Sequence, residues 1–228
     1  MTTAIRDSID LYWLPLGAGG HSVRMNGRVF EAVQAWRTNR PRAALYHAAL
    51  EVESDGTRLV IEFAPVPRHG VDRGVTVTGA VGSRLLRGFR LFTYELRCWR
   101  DGVIPDVNEA VASPLRVSDD PAVVQRLLAL VPSVPPHVWG RDELVTGEMW
   151  TSNSAISWLL ACSGVAVDAV SLPPGGRAPG WDAGVIAARR EQRRSQLRLA
   201  RALTSKCAAG AAADAVQAVA PTTEAAHE

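Results

Sequence analysis

Leu45-Tyr46-His47-Ala48-Ala49-Leu50-Glu51-Val52-Glu53, then Ser54-Asp55-Gly56-Thr57, then Arg58-Leu59-Val60-Ile61-Glu62-Phe63-Ala64 has the pattern of a β-hairpin. Two runs of strand-forming residues flank Asp-Gly, a pair that tolerates positive φ at both central positions of a two-residue hairpin turn. That turn sets a register in which Glu53 faces Arg58, Glu51 faces Val60, Ala49 faces Glu62 and His47 faces Ala64. Side chains alternate across a strand, so Tyr46, Ala48, Leu50, Val52, Leu59, Ile61 and Phe63 form one apolar face. His47, Glu51, Glu53, Arg58 and Glu62 fall on the other, which is expected to be polar and accessible. Glu62 then lies diagonal to His47, within reach of long side chains.

Outward from the hairpin, Leu11 to Leu16 reads as a short strand running into the Gly17-Ala-Gly-Gly20 turn, which lacks the lysine and spacing of a phosphate loop. Val29, Phe30, Val33 and Trp36 predict a helix over 27–36. Residues 67–88 read as loop around a strand from Val75 to Val81, and a further strand runs from Phe89 to Trp99. Asp119-Asp120-Pro121 predicts a helix start, with a carboxylate cap and proline in the first turn, and Val131-Pro-Ser-Val-Pro-Pro136 stops that helix. A second helix covers Ala155 to Cys162, capped by Ser152 or Asn153 and ended by Gly164. The expected fold class is α+β: a small antiparallel sheet packed against helices. The expected organisation is a core over 1–172, a Pro/Gly linker over 173–182, a basic helix over 183–206 and an Ala-rich, disordered tail over 207–228.

With 228 residues, 47% hydrophobic and 21% charged, the chain has the composition of an ordinary folded domain plus a tail. Its first dozen residues lack a basic segment followed by an apolar one, and no run approaches the length of a membrane span, so a cytoplasmic location is expected. Cys98, Cys162 and Cys207 are odd in number and lack C-x-x-C spacing, which supports neither a disulfide framework nor a zinc site; no cofactor and no metal are expected. The net charge of +2 is unevenly spread: residues 186–206 hold seven Lys/Arg against one Glu, whereas 207–228 hold three acids and no Lys/Arg.

Tyr46-His47-Ala-Ala-Leu-Glu-Val52, a histidine opening a strand, precedes Thr151-Ser-Asn-Ser-Ala-Ile-Ser-Trp158, a polar helix start. Together they resemble the histidine strand and nucleophile helix of the permuted papain-like superfamily, which includes NlpC-type peptidases, lecithin:retinol acyltransferase relatives and PPPDE peptidases. The likeness covers roughly residues 45–160. Where relatives show Asn-Cys, this chain has Asn153-Ser154. The resemblance implies a permuted papain-like fold and a hydrolase or acyltransferase acting on an amide, ester or thioester. Ser154 would attack, His47 would take its proton and Glu62 would orient His47. The Ser154 amide and the Asn153 side chain would hold the oxyanion. Trp139, Trp150 and Trp158 flank this position and are read either as pocket walls or as core. Arg141 is read as a substrate contact or a surface ion pair, and His21 as a loop histidine.

Two other readings stand beside catalysis. Serine at the cysteine position fits a catalytically inactive fold whose cleft binds a peptide or other ligand. Arg189, Arg190, Arg193, Arg194, Arg198 and Arg201 fit an adaptor that binds nucleic acid or an acidic protein through the 186–206 helix. The expected partners are thus a peptide, lipid or other acyl-containing substrate, or an acidic macromolecule.

Overall fold

Asp55 and Gly56 carry φ of 48° and 73°, the two positive values that a tight hairpin turn demands, and the sheet is organised around the hairpin they close. The computed structural model describes residues 6–16, 31, 35–36, 39–65, 74–104 and 106–218. Its strands are β1 (Ser8–Pro15), β2 (Ala44–Ser54), β3 (Thr57–Pro65), β4 (Val75–Ala80), β5 (Thr93–Arg100), β6 (Leu115–Ser118) and β7 (Gly176–Arg177). The helices are α1 (Pro121–Leu130), α2 (Ser152–Ser163) and α3 (Trp181–Ala218). Six strands pair in the order β4-β5-β3-β2-β1-β6, all antiparallel, and the two-residue β7 pairs parallel with the start of β2. The class is α+β, as the sequence predicts. Strand β6 was not predicted, since four residues with only Leu115 and Val117 apolar give a weak alternation.

The hairpin register matches the prediction at Glu53 with Arg58 and Glu51 with Val60, but the ladder ends at Leu50 with Ile61. The expected Ala49–Glu62 and His47–Ala64 pairs lie beyond it. From there β3 continues with β5 as far as Pro65 opposite Tyr94, so β2 and β3 part and the early half of β2 stays paired with β1 but not with β3.

The apolar hairpin face is buried as expected: Ala48, Leu50, Val52 and Ile61 are at most 1% exposed and pack with Val124 and Leu127 of α1 and with Ile156, Leu159 and Leu160 of α2. Asp120 caps α1 by accepting from Ala122 N at 2.8 Å. The opposite face departs from the expectation of an accessible polar surface. Ala49 and Val60 form a second small core there with Leu14 and Ile104, because the chain after β5 returns across it.

Two units divide the chain, Met1–Arg189 and Arg190–Glu228. The 173–182 segment therefore belongs to the first unit and does not act as a linker: β7 joins the sheet inside it and Pro173, Ala178 and Gly180 are buried. The basic helix begins at Trp181 and runs on to Ala218, so the start of the Ala-rich tail is helical; 219–228 lie outside the described residues. Of the predicted 27–36 helix, Glu31, Ala35 and Trp36 are helical and the rest lies outside the described residues, as do Gly17–Gly20 and His21.

Candidate functional site

Helix α2 is capped by Thr151, one residue before the predicted caps. Thr151 Oγ1 accepts from Asn153 N at 3.1 Å, and Ser154 Oγ reaches back to accept from Thr151 N at 2.9 Å. This is a capping box with serine in the place usually taken by Glu or Gln. The Ser154 hydroxyl proton goes to the Gly180 carbonyl at 2.6 Å, and the residue has no exposed surface. A nucleophile needs its oxygen open to substrate and its proton directed at a base. Here both hydrogen-bonding capacities are spent on backbone.

Asn153 sits in the gap left by β3. Its Oδ1 accepts from Ala48 N at 2.8 Å, while Nδ2 donates to Tyr46 O at 3.0 Å and to Pro179 O at 2.9 Å. Even-numbered β2 residues direct their backbone toward β3, so this amide substitutes for a strand where the ladder has stopped. An oxyanion donor would need a free N–H, and the Asn153 side chain donates to two carbonyls.

His47 is half-buried and lies opposite Leu14 of β1, on the face that carries Leu14 and Ala49; α2 packs on the other face. Desolvation pushes its imidazole down to about 4, and Asp106 acts in the opposite direction. The carboxylate that influences the ring is therefore Asp106. Glu62 shares the His47 face, as the register predicts, but lies against Arg97, with Oε1 at 3.6 Å from Nη1. Arg97 also donates to Glu95 from Nε at 3.0 Å and Nη2 at 2.9 Å, which makes a buried charge cluster between β3 and β5. Ser154, His47 and Glu62 are thus not brought together.

Trp150 is 2% exposed, and its indole ring packs edge-on against His137 at 4.8 Å; its Nε1–H meets no acceptor among the described residues. Arg141 donates from Nε to Gly82 O at 2.7 Å, which braces its own loop. Trp139 stacks its edge on Phe63 and Trp158 is buried, so both belong to the core. A shallow surface depression is lined by His137, Arg141, Glu143, Glu148 and Trp150. Its acids are committed within the protein: Glu143 accepts from Arg84 Nε at 2.7 Å and from Val138 N at 3.0 Å. Glu148 accepts from Gly180 N at 2.9 Å at the start of α3, and burial together with Asp182 raises its carboxyl above the ordinary range.

The residues that matter around Ser154 are ones the sequence reading passed over. A Cβ at Gly180 would lie 2.5 Å from Thr151 Oγ1 and 2.7 Å from Ser154 Oγ; one at Gly184 would lie 2.0 Å from Ser154 O. Ser157 Oγ donates to Trp181 O at 2.7 Å. Two serines on α2 and two glycines at the start of α3 therefore let the helices cross at backbone distance. The spacings Ser154-x-x-Ser157 and Gly180-x-x-x-Gly184 carried that signal.

Beyond Arg189, which pairs with Asp168, residues 190–202 of α3 are all exposed. Arg193, Arg194, Arg198 and Arg201 have no acidic side chain within ion-pair distance among the described residues. Among the described residues no three His, Cys, Asp or Glu side chains gather to hold a metal ion, and no described helix is long and apolar enough to cross a membrane. No family model, curated protein or solved structure matches the chain.

Proposed function

We propose that this chain is a non-catalytic binding module that presents the arginine-rich part of α3 to an acidic macromolecular partner. The observation that carries this reading is the set Arg193, Arg194, Arg198 and Arg201, exposed along one helix in a stretch, 190–202, whose sequence has Glu191 as its one acid. Fixed, solvated cations at this density attract anions over roughly a Debye length, about 8 Å at physiological salt. The commitment of Ser154, Asn153 and Glu62 to internal contacts supports a binding role over acyl chemistry.

The experiment is binding of the full chain to two defined polyanions, polyglutamate and double-stranded DNA, compared with an R193E/R194E/R198E/R201E variant. The wild type should bind at least one of them in a salt-dependent manner and the variant should lose that binding at least tenfold. Equal binding by both proteins would sink the proposal. A fluorophosphonate probe supplies the complementary check. Labelling that vanishes on Ser154→Ala would restore the serine hydrolase reading.

A further inference from the structure

The arginines of the exposed stretch are confined to one side. At about 100° per residue, Arg190, Arg193, Arg194, Arg198 and Arg201 fall within an arc of about 140°. Glu191, Gln192, Ser195, Gln196, Leu199 and Ala200 occupy the remainder. The arc has two edges, Arg193 on one and Arg198 with Arg194 on the other, and Arg190 and Arg201 lie between them.

Resting on the binding reading above, we infer that the partner is B-form duplex DNA, with residues 190–201 of α3 seated in the major groove and its arginines held by phosphates of both strands. An α-helix with its side chains is about 10–12 Å across, and the groove is about 12 Å wide. Both walls of the groove carry phosphates, so a cationic arc with two edges meets two anionic rails. Along the axis of α3 the arginines span about 17 Å, about three helical turns. Every cation in the 190–201 stretch is arginine, whose planar fork matches phosphate oxygens.

Other anionic partners fit less well. No aromatic residue occurs from 182 to 218, which removes the stacking platform that single strands require. Stable protein interfaces also need apolar anchors, and the arc contains only Leu197. Duplex RNA has a deep, narrow major groove that does not admit a helix.

The test is fluorescence anisotropy of labelled 20-base-pair DNA, the matching single strand, duplex RNA and polyglutamate, each titrated with the full chain between 50 and 200 mM salt. Duplex DNA should bind most tightly. Five phosphate contacts predict a log–log salt slope of about −4.5, hence a loss of roughly 500-fold across that range. R193Q, which removes one edge, and R194Q/R198Q, which removes the other, should each weaken duplex binding and reduce the slope by about 1 per arginine. Tightest binding to polyglutamate, to the single strand or to duplex RNA would overturn the duplex inference and leave the acidic-partner reading standing. Absence of binding to all four would overturn both. Circular dichroism on each variant separates lost binding from lost helix.

Discussion

Residues Trp181–Ala188 and residues 190–202 belong to one continuous helix, yet they answer to opposite demands. In the first stretch Ala183, Gly184, Val185 and Ala188 are buried, and small side chains let α3 approach α2 at backbone distance. In the second every position is exposed and large cations dominate. Residue size in α3 follows contact and not helix propensity. Glycine disfavours a helix by about 1 kcal/mol relative to alanine, so a glycine at 184 has to be explained by what it touches.

Gly184→Ala sets contact and propensity against each other. Propensity alone would make this substitution stabilising by about 1 kcal/mol. The crossing predicts the opposite, because the new Cβ would sit 2.0 Å from Ser154 O and 2.2 Å from Ser157 Oγ. The carbonyl belongs to the backbone of α2 and can yield only if the helix shifts. We expect a loss of about 3 kcal/mol or more, read as a fall of roughly 10 °C in thermal unfolding. An unchanged or raised Tm would mean that the two helices do not cross at backbone distance.

Asn153→Ala is expected to cost slightly less, about 2–3 kcal/mol, by leaving Ala48 N, Tyr46 O and Pro179 O without their partner. Asn153→Asp sharpens the point. Asp keeps an acceptor for Ala48 N but cannot donate to the two carbonyls, so it should recover little of the loss in urea-induced unfolding. Recovery of wild-type stability by Asp would show that the donated bonds contribute nothing.

This asparagine also marks where the sequence stops being legible. Local signals were sufficient as far as the hairpin turn, its register to Leu50 opposite Ile61, the Asp120 cap and the apolar faces, since each depends on residues close in the chain. The early half of β2 is completed by a side chain 105 residues away, and no local pattern encodes that. Ser154 lies in the first turn of α2 as predicted, and Asn153, predicted as a cap, lies there with it; a polar helix start reads the same whether it caps or catalyses. His47 and Glu62 were placed correctly on one face; their neighbours, Asp106 and Arg97, come from other segments. The Pro/Gly composition of 173–182 suggested a linker because close packing and flexibility draw on the same residues. Gly180, with φ of 86° and three α2-side atoms within 2.7 Å of a would-be Cβ, is there for packing.

The smallest effect on stability belongs to the exposed stretch, and there the comparison predicts a separation of folding from binding. Replacing Arg193, Arg194, Arg198 and Arg201 by Gln keeps residues of similar helix propensity and removes no ion pair found among the described residues. Substitutions at such surface positions change stability by at most about 0.5 kcal/mol each, and relief of repulsion between neighbouring guanidiniums works in the stabilising direction. Four such changes sum to at most about 2 kcal/mol, so the fall in Tm stays below about 8 °C and is reduced further by that relief, while affinity for duplex DNA collapses. A fall in Tm comparable to that of Gly184→Ala would mean that these arginines hold the fold together. In that case the two halves of α3 would be doing the same job, and the binding role assigned to the second would have no basis.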